Sequence, residues 1–364
     1  MSKRNHPLVT RRKFLLIVTG SAAGLLAGCR ADGEAPPPTV YSGDAAPTKM
    51  MTTDVFVNAD PRYGTITFDQ LILTDNQKFY TQTFPGANVP SFEDVNTEWE
   101  LTIDGLVDHP LVYSYEDLRM MPEHTEIRTL ECIGNPVGGR LVGNAEWSGV
   151  LIKDLLDEVG IQDSATRARF YADDGYETAV DLKWIMQEGV LLAYKMNGQL
   201  LPRNHGYPLR IFMPGLYGQK MPKWLRRIEF VDFDFQGYWE ERGWSDTAAV
   251  QTNSIVQSPP TQTNIAGQIA IQGIAFSGKE RITAVDVRID EDEWMPAQIL
   301  EPESPLVWTQ WYIEWTPPRT GTFNVEVRAT DETGFTQSNP ATGSFGRSKP
   351  DGTDAIHRIV VEAV

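Results

Sequence analysis

Apolar and polar positions change period several times along this chain, and the changes outline two folded units behind a leader. Glu98 to Ile103 alternates in the manner of a strand. Ser114-Tyr115-Glu116-Asp117 has the pattern of a capping box and predicts a short helix through Met120. Ile152, Leu155, Leu156 and Val159 fall on one helical face, with Ser148 placed to cap the helix and Gly160 to end it. Arg167 to Tyr171 and Leu209 to Met213 read as short strands, and Asp181 to Glu188 as a helix closed by Gly189. This mixture predicts an α+β unit over residues 61–250. From residue 251 the pattern changes. QTNSIVQSPPTQTN reads as a polar linker, followed by alternating runs at Gln268 to Gln272, Ile282 to Ile289 and Thr322 to Ala329. Short strands at about ten-residue spacing, separated by Gly, Pro and Asp, predict a β-sandwich within residues 251–364. Trp294, Trp308, Trp311 and Trp315 are expected to serve its core and interfaces. No internal repeat is visible.

Residues 1–29 carry an address pattern. TRRKFL, residues 10–15, is a twin-arginine motif, a modest apolar run reaches Ala27, and LAGC ends in Cys29 as a lipobox. The run is too short and too rich in Gly and Ala for a membrane span of about 20 apolar residues. A lipidated Cys29 and an uncleaved anchor are both open, and both put the protein outside the cytoplasmic membrane and tethered to it. Twin-arginine export carries folded chains, which points to a cofactor inserted before export. Residues 30–60 are rich in Pro, Ala, Asp and Thr and read as a disordered tether.

Composition changes the picture in two ways. With 41% hydrophobic residues and 10 Trp, the roughly 335 residues after the leader suit two domains rather than one. The full chain has 32 Lys+Arg against 49 Asp+Glu, and residues 1–28 contain five of the basic residues and no acid, leaving 27 against 49 and a net charge of −22. So acidic a surface repels nucleic acid and anionic lipid and suits a partner with a basic patch.

Candidate chemistry centres on TLECIGNPVGGRLVG, residues 129–143. Cys132 is the one cysteine outside the leader. It can pack as a small hydrophobe or, as a thiolate, bind a transition metal. Two later stretches bear on the choice. In LLAYKMNGQLLPRNHGYPLR, His205 and Arg210 flank a Gly/Pro turn that leads into a strand. In MPGLYGQKMPKWL, Lys220 and Lys223 add positive charge near Arg210. This basic group is either a solvated loop or a site for an anion such as phosphate. CxxCH, clustered cysteines, GxGxxG and HExxH are all absent from the sequence. A metal held by one thiolate would therefore take its other ligands from an organic cofactor.

In these stretches, and above all in LLAYKMNGQLLPRNHGYPLR, PGLYGQKMPKWLRRI and TLECIGN, the chain resembles the sulfite oxidase family of molybdopterin enzymes, from about Leu73 to its C-terminus. The region from Gly273 is similar to that family's C-terminal immunoglobulin-like dimerisation domain. The resemblance implies a molybdopterin-binding α+β domain followed by an immunoglobulin-like β-sandwich, and a molybdenum-molybdopterin cofactor (Mo-MPT). It implies that Cys132 ligates molybdenum and that Arg210, Lys223 and His205, with Lys220 in the same basic group, hold phosphate and pterin. Tyr80, Thr81, Asp174, Met221 and Pro222 would add cofactor contacts. It further implies an enzyme that exchanges electrons with a separate c-type cytochrome or membrane haem subunit, and a possible homodimer. Departures fall on the substrate side: Gln82 stands where sulfite-oxidising members have an anion-binding arginine, Trp244 lies near the position of an active-site tyrosine, and GNPVGG replaces Gly-Asn-Arg-Arg. Each lost guanidinium removes charge-assisted hydrogen bonds of about 1.5–3 kcal/mol. The expected activity is thus oxygen-atom or electron-pair transfer on a less charged oxo compound such as a sulfoxide. Sulfite dehydrogenase is the alternative enzyme, and a cofactor-free binding or structural lipoprotein the alternative of another class.

Overall fold

A computed structural model describes residues 9–10, 71, 73–340 and 348–364. The leader (apart from Val9–Thr10), Cys29 and the tether of residues 30–60 lie outside the described residues. Val9–Thr10 forms a short strand parallel to Leu111 and Val112.

The first unit is built on two sheets. One is ordered Val9–Thr10, Leu111–Ser114, Glu100–Gly105, Leu225–Val231, Arg167–Ala172 and Glu177–Asp181. The other runs Arg210–Phe212, Leu191–Met196, Val142–Leu151 and His124–Glu131, with Gln199–Leu200 paired to Leu191–Met196. Glu100–Gly105 is flanked by an antiparallel and a parallel neighbour, and its alternation puts Leu101 and Ile103 fully in the core. Helix Ile152–Val159 buries Ile152, Leu155, Leu156 and Val159, the predicted stripe. One apolar core, with Trp99, Trp147, Phe170, Phe212 and Phe230 in it, joins both sheets and this helix.

The capping box holds as written: Ser114 Oγ accepts from the Asp117 N–H at 3.1 Å, while Asp117 Oδ2 accepts from the Ser114 N–H at 2.9 Å, and the helix is Tyr115–Met120. Three expectations need correction. Ser148 is not a cap; it lies in strand Val142–Leu151, where its Oγ accepts from Thr125 Oγ1 at 2.9 Å across the ladder, and the helix starts from Leu151 without a side-chain cap. The helix expected over residues 181–188 is only Leu182–Ile185. Residues 251–264 are no linker: Asn253–Ser258 is a strand buried along its whole length. Its polar side chains are held inside by partners, Asn253 donating to Glu131 at 3.0 Å and Ser254 to Gln337 at 2.7 Å.

The second unit packs a sheet of Asn253–Ser258, Ile269–Phe276, Thr309–Trp315 and Gln298–Leu300 against one of Thr263–Ile265, His357–Ala363, Gly321–Asp331, Ile282–Ile289 and Met295–Pro296. Both contribute to one core, Ile271 and Trp311 from the first meeting Val287, Val325 and Val361 from the second. Trp308 and Trp311 are buried, whereas the half-buried Trp294 has the guanidinium carbons of Arg288 and Arg328 at 4.6 and 4.4 Å from its ring centre. A further cluster of Val142, Ile255, Ile274, Phe276, Val307 and Trp308 spans the two units. Across the same seam the Thr129 N–H donates to Leu306 O at 2.8 Å, and the Trp308 N–H donates to Thr129 Oγ1 at 2.8 Å. The second unit thus braces the strand that leads to Cys132. Among the described residues no helix is long and apolar enough to cross a membrane.

Candidate active site

Strand His124–Glu131 ends at Cys132, where the chain turns tightly. The Cys132 N–H donates to Leu141 O and the Asn135 N–H to Cys132 O, each at 2.9 Å. The turn keeps its shape because Asn135 donates to Glu131 Oε1 and accepts from the Leu141 N–H, both at 2.9 Å. The thiol opens on a cavity of about 750 Å3. Burial pushes the Cys132 thiol up to about 11, against the lowering effect of the Gly134 N–H. Such a thiol stays protonated near neutrality, and loses its proton when a metal replaces it.

The basic wall comes from Arg210–Phe212 and the loops on either side of it. Gly206, at φ +119, lets the chain fold back so closely that a Cβ there would sit 3.1 Å from Lys223 Cβ and 3.2 Å from Arg210 Cβ. This glycine brings the two cations together. Arg210 is buried, its Nη1 donates to His205 O at 3.1 Å, and its Nε is buried with no partner. Burial lowers Arg210 to about 10, opposed weakly by Tyr80. Lys223 is lowered to about 8 by burial and then by Arg210, with Asp174 opposing. His205 is lowered to about 4, first by burial. Its Nε2 lies 2.9 Å from Asn76 O, so the neutral ring donates there and leaves Nδ1 as an acceptor. A buried guanidinium with an unused donor on a cavity is an incomplete site, and a phosphate would complete it.

Another part of the lining is aromatic. Trp239 and Trp244 flank the 3-10 turn Glu240–Arg242, which Gly243 ends at φ +80. The Trp244 N–H closes this loop on Trp239 O at 3.1 Å, and the two indoles meet edge to face at 6.3 Å. A Cβ on Gly134 would lie 3.6 Å from Trp244 and 3.8 Å from Cys132 Sγ, so this wall stands beside the thiol.

Tyr80, Thr81, Gln82, Cys132, Asp174, His205, Arg210, Met221, Pro222, Lys223 and Trp244 all line this one cavity. Lys220 does not. Its side chain is fully buried and paired with Glu240 and Asp246, so no donor is left for a ligand. Sequence reasoning missed Phe84, Tyr176, Asn204, Trp239 and Lys349, which also line the cavity. Asn204 stands inside a motif already singled out, and Trp239 lies five residues before Trp244; Lys349, from the second unit, is more than 200 residues from Cys132 and carried no local signal. Among the described residues no three His, Cys, Asp or Glu side chains gather around a metal site.

A single thiol, an anion-ready basic wall and a roomy cavity define a site for a large anionic cofactor that brings most of its metal's ligands with it. Known proteins agree. Residues 87–239 match the family described as "oxidoreductase molybdopterin binding domain". The chain is 36% identical to the Bacillus subtilis protein named "uncharacterized oxidoreductase YuiH" over 167 residues, 45% of this chain and 82% of that one. It is 28% identical to mitochondrial sulfite oxidase of Drosophila melanogaster, over 70% of this chain and 52% of that one. The crystal structure of the sulfane dehydrogenase SoxCD from Paracoccus pantotrophus superposes with a TM-score of 0.68 at 25% identity, covering 85% of each chain. The chain belongs to the sulfite oxidase family and is a molybdenum-dependent oxidoreductase that uses molybdenum-molybdopterin.

Proposed function

We propose that this enzyme transfers an oxygen atom or electron pair to or from a weakly charged oxo substrate, of which a sulfoxide is the simplest kind. In this reading Cys132 ligates molybdenum; Arg210 and Lys223 hold the phosphate, with His205, Asp174, Tyr80, Thr81, Met221 and Pro222 around the pterin. The bound cofactor supplies the two-electron chemistry. The chain's own residues fix the phosphate, exclude water with the two indoles, and present Cys132 at the end of a braced strand.

The observation that carries the substrate reading is the distribution of charge. The buried Arg210 and the half-buried Lys223, with Asp174 near them, carry the charge of the inner lining, while Gln82, Phe84, Pro136, Trp239 and Trp244 are uncharged and, among the described residues, Lys349 is the one further cation in the lining. The two positions after Asn135, where the resemblance expects arginines, are the uncharged Pro136 and Val137. A compact dianion such as sulfite loses hydration on entry and needs fixed positive charge in return. Lys349, exposed at the mouth, favours the second reading, sulfite oxidation, which also accords with the names of the relatives.

Loaded enzyme assayed with an artificial electron donor or acceptor against sulfoxides, N-oxides and sulfite separates the two. The expected result is turnover of a sulfoxide and weak oxidation of sulfite, with Gln82→Arg lowering the KM for sulfite alone. Efficient sulfite oxidation by the wild type, with no gain from Gln82→Arg, makes sulfite dehydrogenase the function.

The two-sheet second unit is read as the family's immunoglobulin-like domain and as a possible dimer surface. With no haem-attachment motif in the sequence, electrons pass to or from a separate carrier with a basic patch, a c-type cytochrome or a membrane haem subunit. Residues 1–29 support a site outside the cytoplasm, held to the membrane through lipidated Cys29.

A further inference from the structure

The buried Lys220 is unexplained by cofactor binding, and its partners say what it does. A lysine with no exposed surface is strongly unfavourable unless its ammonium is paired and fully hydrogen-bonded. Lys220 Nζ donates to Thr178 Oγ1 at 3.2 Å, to Ala179 O at 3.0 Å, to Asp246 Oδ1 at 3.1 Å and to Glu240 Oε1. Glu240 follows Trp239 in the chain, and Asp246 lies two residues beyond Trp244. Both ends of the aromatic loop are therefore tied to one nitrogen. Neighbouring bonds tighten the same knot. Thr178 donates to Glu240 Oε1 at 2.8 Å, Gln219 donates to Glu240 Oε1 at 3.1 Å and to Ser245 O at 3.0 Å, and Arg167 holds Asp246 with bonds of 3.0 and 2.9 Å. Packing leaves the loop no slack, for a Cβ on Gly237 would lie 2.1 Å from Glu177 O.

Lys220 also sits at the end of the 3-10 turn Gly218–Lys220, directly before Met221, Pro222 and Lys223 on the cofactor side of the cavity. We propose that Lys220 is a positioning residue that sets the Trp239/Trp244 wall against the cofactor loop, without touching cofactor or substrate. It thereby fixes the width of the opening beside Cys132. This rests on the molybdenum site proposed above, and predicts that substitution at Lys220 shifts the wall while cofactor stays bound.

The test is 19F NMR of molybdenum-loaded full-length protein labelled with 5-fluorotryptophan, with the two resonances assigned from Trp239→Phe and Trp244→Phe. In Lys220→Met both resonances should shift or broaden while the buried Trp99, Trp147 and Trp311 resonances keep their positions, at unchanged molybdenum content. Asp246 is partly exposed, so Asp246→Asn takes the charge from one tie and weakens it with little risk to folding, and should move Trp244 more than Trp239. Unmoved Trp239 and Trp244 resonances in Lys220→Met, or in Asp246→Asn where Lys220→Met does not fold, overturn the proposal. Loss of molybdenum from Lys220→Met with the wall unmoved overturns it as well, returning Lys220 to cofactor binding. Wild-type protein that holds no molybdenum while Lys220→Met still moves both indoles would instead sink the cofactor-site reading and leave the clamp standing.

Discussion

Arg210→Met should have opposite consequences for the empty and the loaded protein. In the empty protein the guanidinium is buried without a carboxylate partner, and burial lowers it from 12.5 to about 10, a charging penalty of about 3 kcal/mol. Against this stand one hydrogen bond to His205 O and the rings of Phe212 at 4.6 Å and Trp147 at 5.4 Å, together worth about 2–5 kcal/mol. These contributions nearly cancel, and methionine fills much of the same space. The empty variant should therefore unfold within about 1–2 kcal/mol of wild type. If Arg210 holds the cofactor's phosphate as proposed, with two charge-assisted hydrogen bonds, the same change in the loaded protein would cost about 3–6 kcal/mol, or roughly 100-fold to 10,000-fold in cofactor affinity. Thermal unfolding of both forms, with molybdenum content per chain, checks both halves. If the empty variant loses as much stability as the loaded one and molybdenum content is unchanged, Arg210 is a structural cation and the phosphate assignment is wrong.

His357 gives a pH dependence. It is packed against Gly138, its Nδ1 accepts from the Val256 N–H at 3.0 Å, and burial lowers it from 6.5 to about 4. The unfolded chain binds the extra proton first, so the His357 contribution is complete above pH 6.5 and is lost as pH falls toward 4, by up to about 3 kcal/mol. Denaturant unfolding at pH 7 and pH 4.5 should show a smaller difference in His357→Gln than in wild type; an identical difference refutes the assignment. Export should require Arg11 and Arg12 together, and Cys29→Ala should release the protein from the detergent phase; cofactor-loaded Arg11→Lys/Arg12→Lys protein outside the cytoplasm would refute the twin-arginine reading.

What the sequence disclosed followed physical distance. The Ser114 capping box, the Ile152–Val159 stripe and the Cys132, His205, Arg210 and Lys223 motifs are legible because a few neighbouring residues determine them. The buried strand Asn253–Ser258 was not, because its polar side chains are satisfied by Glu131, Val327 and Gln337, partners that composition cannot reveal. Lys220 looked like one more member of a basic cluster for the same reason: Glu240 and Asp246 lie 20 and 26 residues away. Ser148 satisfied a helix-cap pattern, yet the ladder with Thr125 claimed it first. Lys349 reaches the cavity only through the packing of the second unit on the first.

Molybdenum K-edge X-ray absorption of the loaded protein, compared between wild type and Cys132→Ser, tests the central assignment. Cys132 is the thiol that opens on the cavity, and an oxygen ligand is a poorer partner for molybdenum than a soft thiolate. The expected result is a variant that retains molybdenum, loses one sulfur neighbour from the metal's coordination and has no turnover. An unchanged sulfur count with wild-type turnover would show that the metal is held elsewhere.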